Sequence, residues 1–345
     1  MSQLLSGSNL ERVIKAGHFA VTAELGPPMG ASRKAVLKKA ELLRGCADAF
    51  NITDCQTAVV RLSSIASAIM LLQEGMEPVM QMTTRDRNRI AIQADVLGAA
   101  ALGVKNCLCI AGDHQSFSAA GKLKGHPGAK NVYDIDSIQL IGILKKMRDE
   151  GLQEGGDELT VPPKLFIGAA WTPLGDPIEF RPYRLAKKVR AGADFIQTQG
   201  VYDVKGFAKA MEAARNLGLH EQTAILAGII VPKNAGMLKY MNSSVAGVSV
   251  PEELIKRMSK VADLAKRESA KKGEDEKAQK KAAAKAQEEE GIKIAIELIQ
   301  QCREIPGVKG VHIQAIEWEE AVRTIVTGAG LLPRPVIPAE NPTQE

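Results

Sequence analysis

Eight short runs rich in Val, Ile, Ala and Phe recur along this chain of 345 residues, each followed by a longer segment whose apolar residues return every three or four positions. The runs fall at 19–25, 49–54, 78–83, 106–112, 165–171, 195–199, 224–230 and 310–315. A run of that length reads as a buried strand, and stripes such as Leu62, Ile65, Ile69 and Leu72, or Ile138, Ile141 and Leu144, read as helices covering it. Eight strand–helix repeats predict a closed (β/α)8 TIM barrel. An open doubly wound sheet usually has fewer strands and a Gly-rich first turn. There is no G-x-G-x-x-G here, and "GAGLLP" and "GHPG" read as turns.

The barrel is expected to occupy residues 1–332. One segment breaks the repeat before the last strand: 265–291, with no aromatic or large aliphatic residue, carries eight basic and seven acidic residues between positions 266 and 290. Such a run predicts a solvent-exposed helix or hairpin projecting from the barrel. The tail at 333–345, "PRPVIPAENPTQE", is expected to be extended or disordered.

Charge narrows the function. The 45 cationic residues are almost matched by 40 acidic ones and aromatics make up 4%, which argues against a nucleic-acid surface. No window reaches the ~18 apolar residues of a membrane span, and the start of the chain lacks an apolar core behind a basic leader. A cytoplasmic protein with reduced thiols is expected. Cys46, Cys55, Cys107, Cys109 and Cys302 form no C-x-x-C, and the five histidines form no paired motif, so no metal site is predicted. Cys107 and Cys109 share one face of a strand and read as small buried hydrophobes.

In a (β/α)8 barrel the reacting groups stand where strands end and the following loops begin. Those ends are polar throughout: Glu24, Thr53 and Asp54, Gln81 with Thr83 and Thr84, Asp113, Trp171 and Thr172, Gln197 and Gln199, and Gln314. Each alone has an ordinary structural explanation, but together they ring one mouth and suit a planar ligand with polar edges. Glu24 is the sharpest. In the apolar run "FAVTAEL" ahead of the stiff turn "GPP", it would be desolvated, its pKa raised, and able to act as a general acid near neutral pH.

Four segments carry a resemblance to a known family. "TAELGPP" resembles the E-x-x-P-P segment of methylenetetrahydrofolate reductases, and "CLCIAGDHQ" resembles their strand ending in Arg-Gly-Asp. "AKKVRAGADFIQTQGVYD" is similar to their K-x-x-x-GA-x-x-x-x-TQ-x-x-x-D run, and "GVHIQAI" echoes the last strand. The likeness runs from about residue 20 to 332 and implies a flavoprotein of one-carbon metabolism that reduces 5,10-methylenetetrahydrofolate to 5-methyltetrahydrofolate. By that resemblance Glu24 is the acid that helps open the imidazolidine ring, Asp113 lies beside flavin and folate, and Gln199 contacts the pterin. Gln197 and Gln314 complete the substrate-binding set. Thr53, Gln81, Ala111, Gly112, Asp113, Tyr133, Arg184 and Lys188 would face the flavin, FAD by the resemblance, with FMN also compatible. Three of these depart from the family: Gln81 replaces a histidine, Ala111 an arginine and Arg184 an asparagine. The likeness extends to members from acetogenic bacteria, which work with a separate iron–sulfur protein, so an electron-donor subunit and an oligomer or hetero-complex are expected. Two other readings stay open: a pterin-binding barrel that transfers a methyl group without redox chemistry, and a non-catalytic barrel subunit that docks a larger complex through 265–291.

Overall fold

The computed structural model describes residues 4–116, 118–119, 122–123 and 125–338. Eight parallel strands close on one another in chain order: β1 (Ala20–Leu25), β2 (Ala49–Ile52), β3 (Pro78–Thr83), β4 (Asn106–Ile110), β5 (Phe166–Trp171), β6 (Phe195–Gly200), β7 (Ala224–Ile230) and β8 (Val308–Gln314), which pairs back onto β1. The expected (β/α)8 barrel is what forms. Expected strand ends differ by up to two residues, because Thr53, Asp54, Ala111 and Gly112 already belong to the loops at the mouth. A two-stranded antiparallel pair, Ser118–Ala119 with Lys122–Leu123, lies in the connection after β4.

Helices α2 (Arg33–Leu43), α3 (Ser64–Gln73), α4 (Arg89–Ala101), α5 (Ser137–Asp149), α6 (Arg181–Ala191) and α7 (Val204–Asn216) follow the first six strands. Most start on a side chain that accepts a free N–H of the first turn: Ser32, Ser63, Asn88, Asp136 and Asp203. Asp136 and Gln139 cap each other's backbone reciprocally. A short α1 (Asn9–Lys15) closes the barrel floor with Leu10 and Val13.

Alternation along each strand sorts the interior into layers. The floor holds Ala20, Ala49, Val79, Leu108, Phe166, Phe195 and Leu226. Phe166 and Phe195 stack with centroids 5.2 Å apart, and a Cβ on Gly168 would sit 2.2 Å from the Phe195 ring, so glycine there makes room for the aromatic pair. Outward-facing residues such as Cys107 and Cys109 are fully buried against the helices, and both cysteines are free thiols.

Above the floor lies a polar layer. Asn51 and Gln197 exchange amide hydrogen bonds at 2.7 and 2.9 Å, Gln197 also donates to Thr22 at 3.0 Å, and the Thr22 hydroxyl meets His312 Nδ1 at 2.9 Å. Burial holds the His312 pKa down to about 3, so the ring stays neutral. The unfolded chain, with an ordinary histidine pKa, binds the extra proton first. This contribution is therefore present above pH ~6.5 and is lost as pH falls towards 3, at about 1.4 kcal/mol per pH unit. Urea unfolding of His312→Gln at pH 7 and 5 should show less loss on acidification than the parent; equal losses would refute the assignment.

A short α8 (Leu219–Gln222) precedes β7, and between β7 and β8 the chain adds α9 (Ala235–Ser244) and a hairpin of two long helices, α10 (Glu252–Lys271) and α11 (Glu276–Arg303). The charged run 265–291 is thus the last third of α10, the turn and the first part of α11. Its root is not solvent-exposed as expected from composition: Glu290 and Gly291 are buried. A Cβ on Gly291 would lie 1.8 Å from the Pro232 carbonyl oxygen, so helix and loop backbones touch there. Gly291→Ala gains helix propensity but forces two backbones apart. We expect a net loss of about 2 kcal/mol, read from the denaturant midpoint; an unchanged midpoint would show that the contact yields freely. After α12 (Glu320–Gly328), the tail forms no helix or strand as far as 338, and Arg334 is pinned to Asp48 at the barrel floor. Residues 339–345 of the expected tail lie outside the described residues.

Candidate functional site

The upper interior layer, where the strands end, carries Glu24 on β1, Thr53 after β2, Gln81 and Thr83 on β3, Gln199 on β6 and Gln314 on β8. Glu24 retains some solvent contact, yet apolar strands wall it in. Burial, then the charge of Glu319, raise its pKa to about 7, against the opposing ammonium of Lys39. A carboxyl raised that far keeps its proton into the neutral range, the condition a proton donor needs.

The structure also separates residues that the sequence grouped. Gln197 sits one layer below the mouth with both ends of its amide committed to Asn51 and Thr22, which removes it from the substrate-binding set and makes it a strut of the barrel. Gln199 stays at the mouth, half-buried, its Oε1 accepting the Gly200 N–H at 3.1 Å. Gln314 ends β8, also half-buried. Asp54 is a structural acid: it accepts the Thr83 N–H and hydroxyl, both at 3.0 Å, and pairs with Arg87 at 2.7 Å.

Across the mouth, the loops after β2, β3 and β4 form a second edge. Thr53 donates to Gln56 at 2.8 Å, ahead of a turn in which Cys55, Thr57 and Ala58 all take positive φ. Asp113 is exposed and accepts the Thr57 N–H at 2.8 Å. Gly112 has φ +86°, and a Cβ there would lie 3.0 Å from Thr83 Cγ2, so glycine keeps this strand end open to close approach. The Tyr133 hydroxyl donates to the Gly112 carbonyl at 3.2 Å. Ala111 is exposed and offers no polar group. Lys188, on α6, donates to the Ala170 carbonyl; burial, then the neighbouring Arg184 charge, lower its pKa to about 8. Arg184 itself is exposed one turn earlier.

Residues with no motif to mark them hold these groups in place. Arg85, only 2% exposed, donates to the Asp113 carbonyl at 3.1 Å and the Cys55 carbonyl at 3.2 Å, and pairs with Asp86 at 2.6 Å. It ties three strand-end loops together beside the alanine that stands in the arginine position of the resembling strand. Lys39 on α2 pairs with Glu317 and Glu319 of the loop after β8, and the charges of Glu319 and Lys39 are the ones that act on Glu24. The sequence signal for Arg85 was only a basic residue directly after a polar strand end; for Lys39 there was none.

The edge around Gly112 fits a flavin. Its glycine leaves space where a Cβ would crowd Thr83, the buried Thr84 hydroxyl has no protein partner, Gln81 brings an amide, and Lys188 with Arg184 brings cations suited to a phosphate. A groove of about 630 Å³ lies outside the barrel between α6 and α7, lined by Leu174, Tyr183 and Lys209 among others. It contains neither Glu24 nor the Gly112 edge, and the mouth, where those polar groups converge, is the candidate site. Among the described residues no three His, Cys, Asp or Glu side chains assemble to hold a metal, and no helix is long and apolar enough to cross a membrane.

A family model, methylenetetrahydrofolate reductase, matches residues 9–330. Two curated relatives from Schizosaccharomyces pombe, methylenetetrahydrofolate reductase 2 and methylenetetrahydrofolate reductase 1, are 30% identical over 164 residues and 28% identical over 178 residues. Those alignments take in 46% and 50% of this chain but only 22% and 25% of the two relatives. Among solved structures, an uncharacterized protein from Clostridium thermocellum that binds two copies of 5-methyl-5,6,7,8-tetrahydrofolic acid shares the fold, with a TM-score of 0.56 and 16% identity over 92% of this chain and 97% of that one.

Proposed function

The chain belongs to the methylenetetrahydrofolate reductase family, and from that premise we propose that it is a flavin-dependent enzyme reducing 5,10-methylenetetrahydrofolate to 5-methyltetrahydrofolate. The observation that carries the reading is Glu24: a carboxyl group with a pKa of about 7, at the mouth of the barrel, between Gln314 on one neighbouring strand and Thr53 beyond the other. The methylated folate bound by the Clostridium protein supports the substrate class.

Flavin, when bound, would supply the hydride that reduces the iminium carbon of the opened folate. The protein's share is orientation and a proton. Thr53, Gln81, Gly112, Asp113, Tyr133, Arg184 and Lys188 would hold the cofactor along the edge described above, while Gln199 and Gln314 would take the pterin. Glu24 gives its proton to the amine nitrogen that leaves the methylene carbon, so the imidazolidine ring opens to the iminium; proton and hydride together yield the methyl product.

Because the acid form is the active one, kcat/KM should fall as pH rises through about 7. A profile flat from pH 6 to 9 would remove Glu24 from the proton-transfer step. Reconstitution with FAD and with FMN, followed by folate reduction with NADH, NADPH and an artificial one-electron donor, tests the whole reading. A protein that takes up neither flavin overturns it, and a requirement for the one-electron donor favours an iron–sulfur partner over direct oxidation of a nicotinamide.

A further inference from the structure

The edge around Gly112 is held in an unfavourable backbone conformation. Among the described residues, five other than glycine take a positive φ, and four of them lie here. Cys55, Thr57 and Ala58, in the turn after β2, stand at +46°, +57° and +56°, and Tyr133, at the end of the long connection after β4, stands at +40°. Side chains disfavour that region, so such a conformation persists only where the surroundings fix it. Gly112, just after β4, completes the set at +86°.

Arg85 supplies the fixing from a third loop. Its Nη2 donates to the Cys55 carbonyl at 3.2 Å and its Nη1 to the Asp113 carbonyl at 3.1 Å. The Asp113 carboxylate accepts the Thr57 N–H at 2.8 Å, which closes a circuit from Arg85 through the β2 turn and the β4 exit back to Arg85. The Arg85 carbonyl accepts the Val132 N–H at 2.8 Å, next to Tyr133, whose hydroxyl donates to the Gly112 carbonyl at 3.2 Å. One residue thus holds the turn after β2 and both ends of the connection after β4. Its charge is met by a forked pair with Asp86, at 2.8 Å from Nε and 2.6 Å from Nη2. With 3% of its side chain exposed, Arg85 acts on a ligand through the loops it holds and not by contact.

We propose that Arg85 is a positioning residue for the cofactor: its guanidinium sets the strained turn after β2 and the Gly112–Asp113 exit in their binding conformation before flavin arrives. The proposal rests on the reading of the Gly112 edge as the flavin site. Affinity gained this way comes from removing the cost of ordering loops on binding. Three acceptors converge on one guanidinium, and a lysine ammonium offers no such fixed fork.

The test compares Arg85→Met and Arg85→Lys with Arg334→Met, whose lesion lies at the barrel floor. Flavin-free protein is titrated with FAD and with FMN, and Kd is read from the change in flavin fluorescence. Hydrogen exchange at the Thr57 and Val132 amides is followed in the same flavin-free proteins, together with the urea midpoint of each. Arg85→Met should raise the flavin Kd about 10- to 100-fold and speed exchange at both amides, with Arg85→Lys between it and the parent. At saturating flavin the folate half-reaction should run near the parent rate, since Arg85 touches no reacting atom. Arg334→Met should match the parent in Kd despite a lower midpoint. A parent-like Kd in Arg85→Met, or a Kd that rises as much in Arg334→Met, overturns the proposal; if Arg85→Met does not fold, Arg85→Lys decides by the same criterion. Faster exchange in Arg85→Met beside a parent that takes up neither flavin would leave the clamp standing and sink the flavin reading.

Discussion

Glu24→Gln should bind flavin as the parent does and reduce 5,10-methylenetetrahydrofolate about 10²- to 10⁴-fold more slowly, the span that one positioned acid typically contributes. The amide keeps the size of the carboxyl, so the β1 pairing with β8 and β2 on either side of it is undisturbed. What it lacks is a proton acidic enough to give to a leaving amine. The loss should appear in the folate half of the cycle alone: reduction of the bound flavin by its electron donor does not need Glu24, whereas reoxidation by the folate does. Stopped-flow measurement of the two half-reactions separates them. The residual rate should also lose the decline above pH 7, because the group that titrates there is gone. Full folate reduction by a flavin-loaded Glu24→Gln protein would refute the acid assignment. An equal slowing of both half-reactions would mean that the variant disturbs the flavin instead.

The strands were legible because a barrel strand, buried on both faces, must be short, apolar and followed by a helix, and that constraint is written in residue type. Glu24 was legible for a related reason: a carboxylate in an apolar run has either a partner or a displaced pKa, and the turn "GPP" places it at a strand end. Gln197 shows where this kind of reading stops. Gln197 and Gln199 stand two apart on one face of β6, yet the lower one faces Asn51 and the upper one faces the mouth. Depth along the barrel axis depends on how neighbouring strands are staggered, and stagger is not a property of any single segment. Lys39, Glu319 and Arg85 were hidden for the same reason, since each acts on a residue from another strand's loop. The charged hairpin was legible as helix from its alanines, whereas its buried root depended on one glycine against one carbonyl.

The sequence 333–345 is expected to be extended or disordered, yet its second residue makes fixed contacts at the barrel floor. Arg334 donates through Nε and Nη2 to the two oxygens of Asp48, at 3.0 and 2.6 Å, and to the carbonyls of Leu331 and Phe19, each at 2.8 Å. The Asp48 side chain is fully buried and also accepts the Val21 N–H at 2.7 Å, so it ties the starts of β1 and β2 together at the floor. Removing the guanidinium leaves a buried carboxylate without its cation. Arg334→Met, or truncation after Leu332, should therefore lower stability by about 3–5 kcal/mol, read from urea midpoints with an unchanged slope. Asp48→Asn in the Arg334→Met background should recover part of the loss, because the unpaired charge and not the missing contact carries most of it. Folded Arg334→Met protein should reduce folate at the parent rate, since the floor lies at the opposite end of the strands from Glu24 and the Gly112 edge. A loss below about 1 kcal/mol would show that water reaches Asp48 readily, and a loss of activity in folded protein would show that floor and mouth are coupled through the polar layer of Thr22, Asn51, Gln197 and His312.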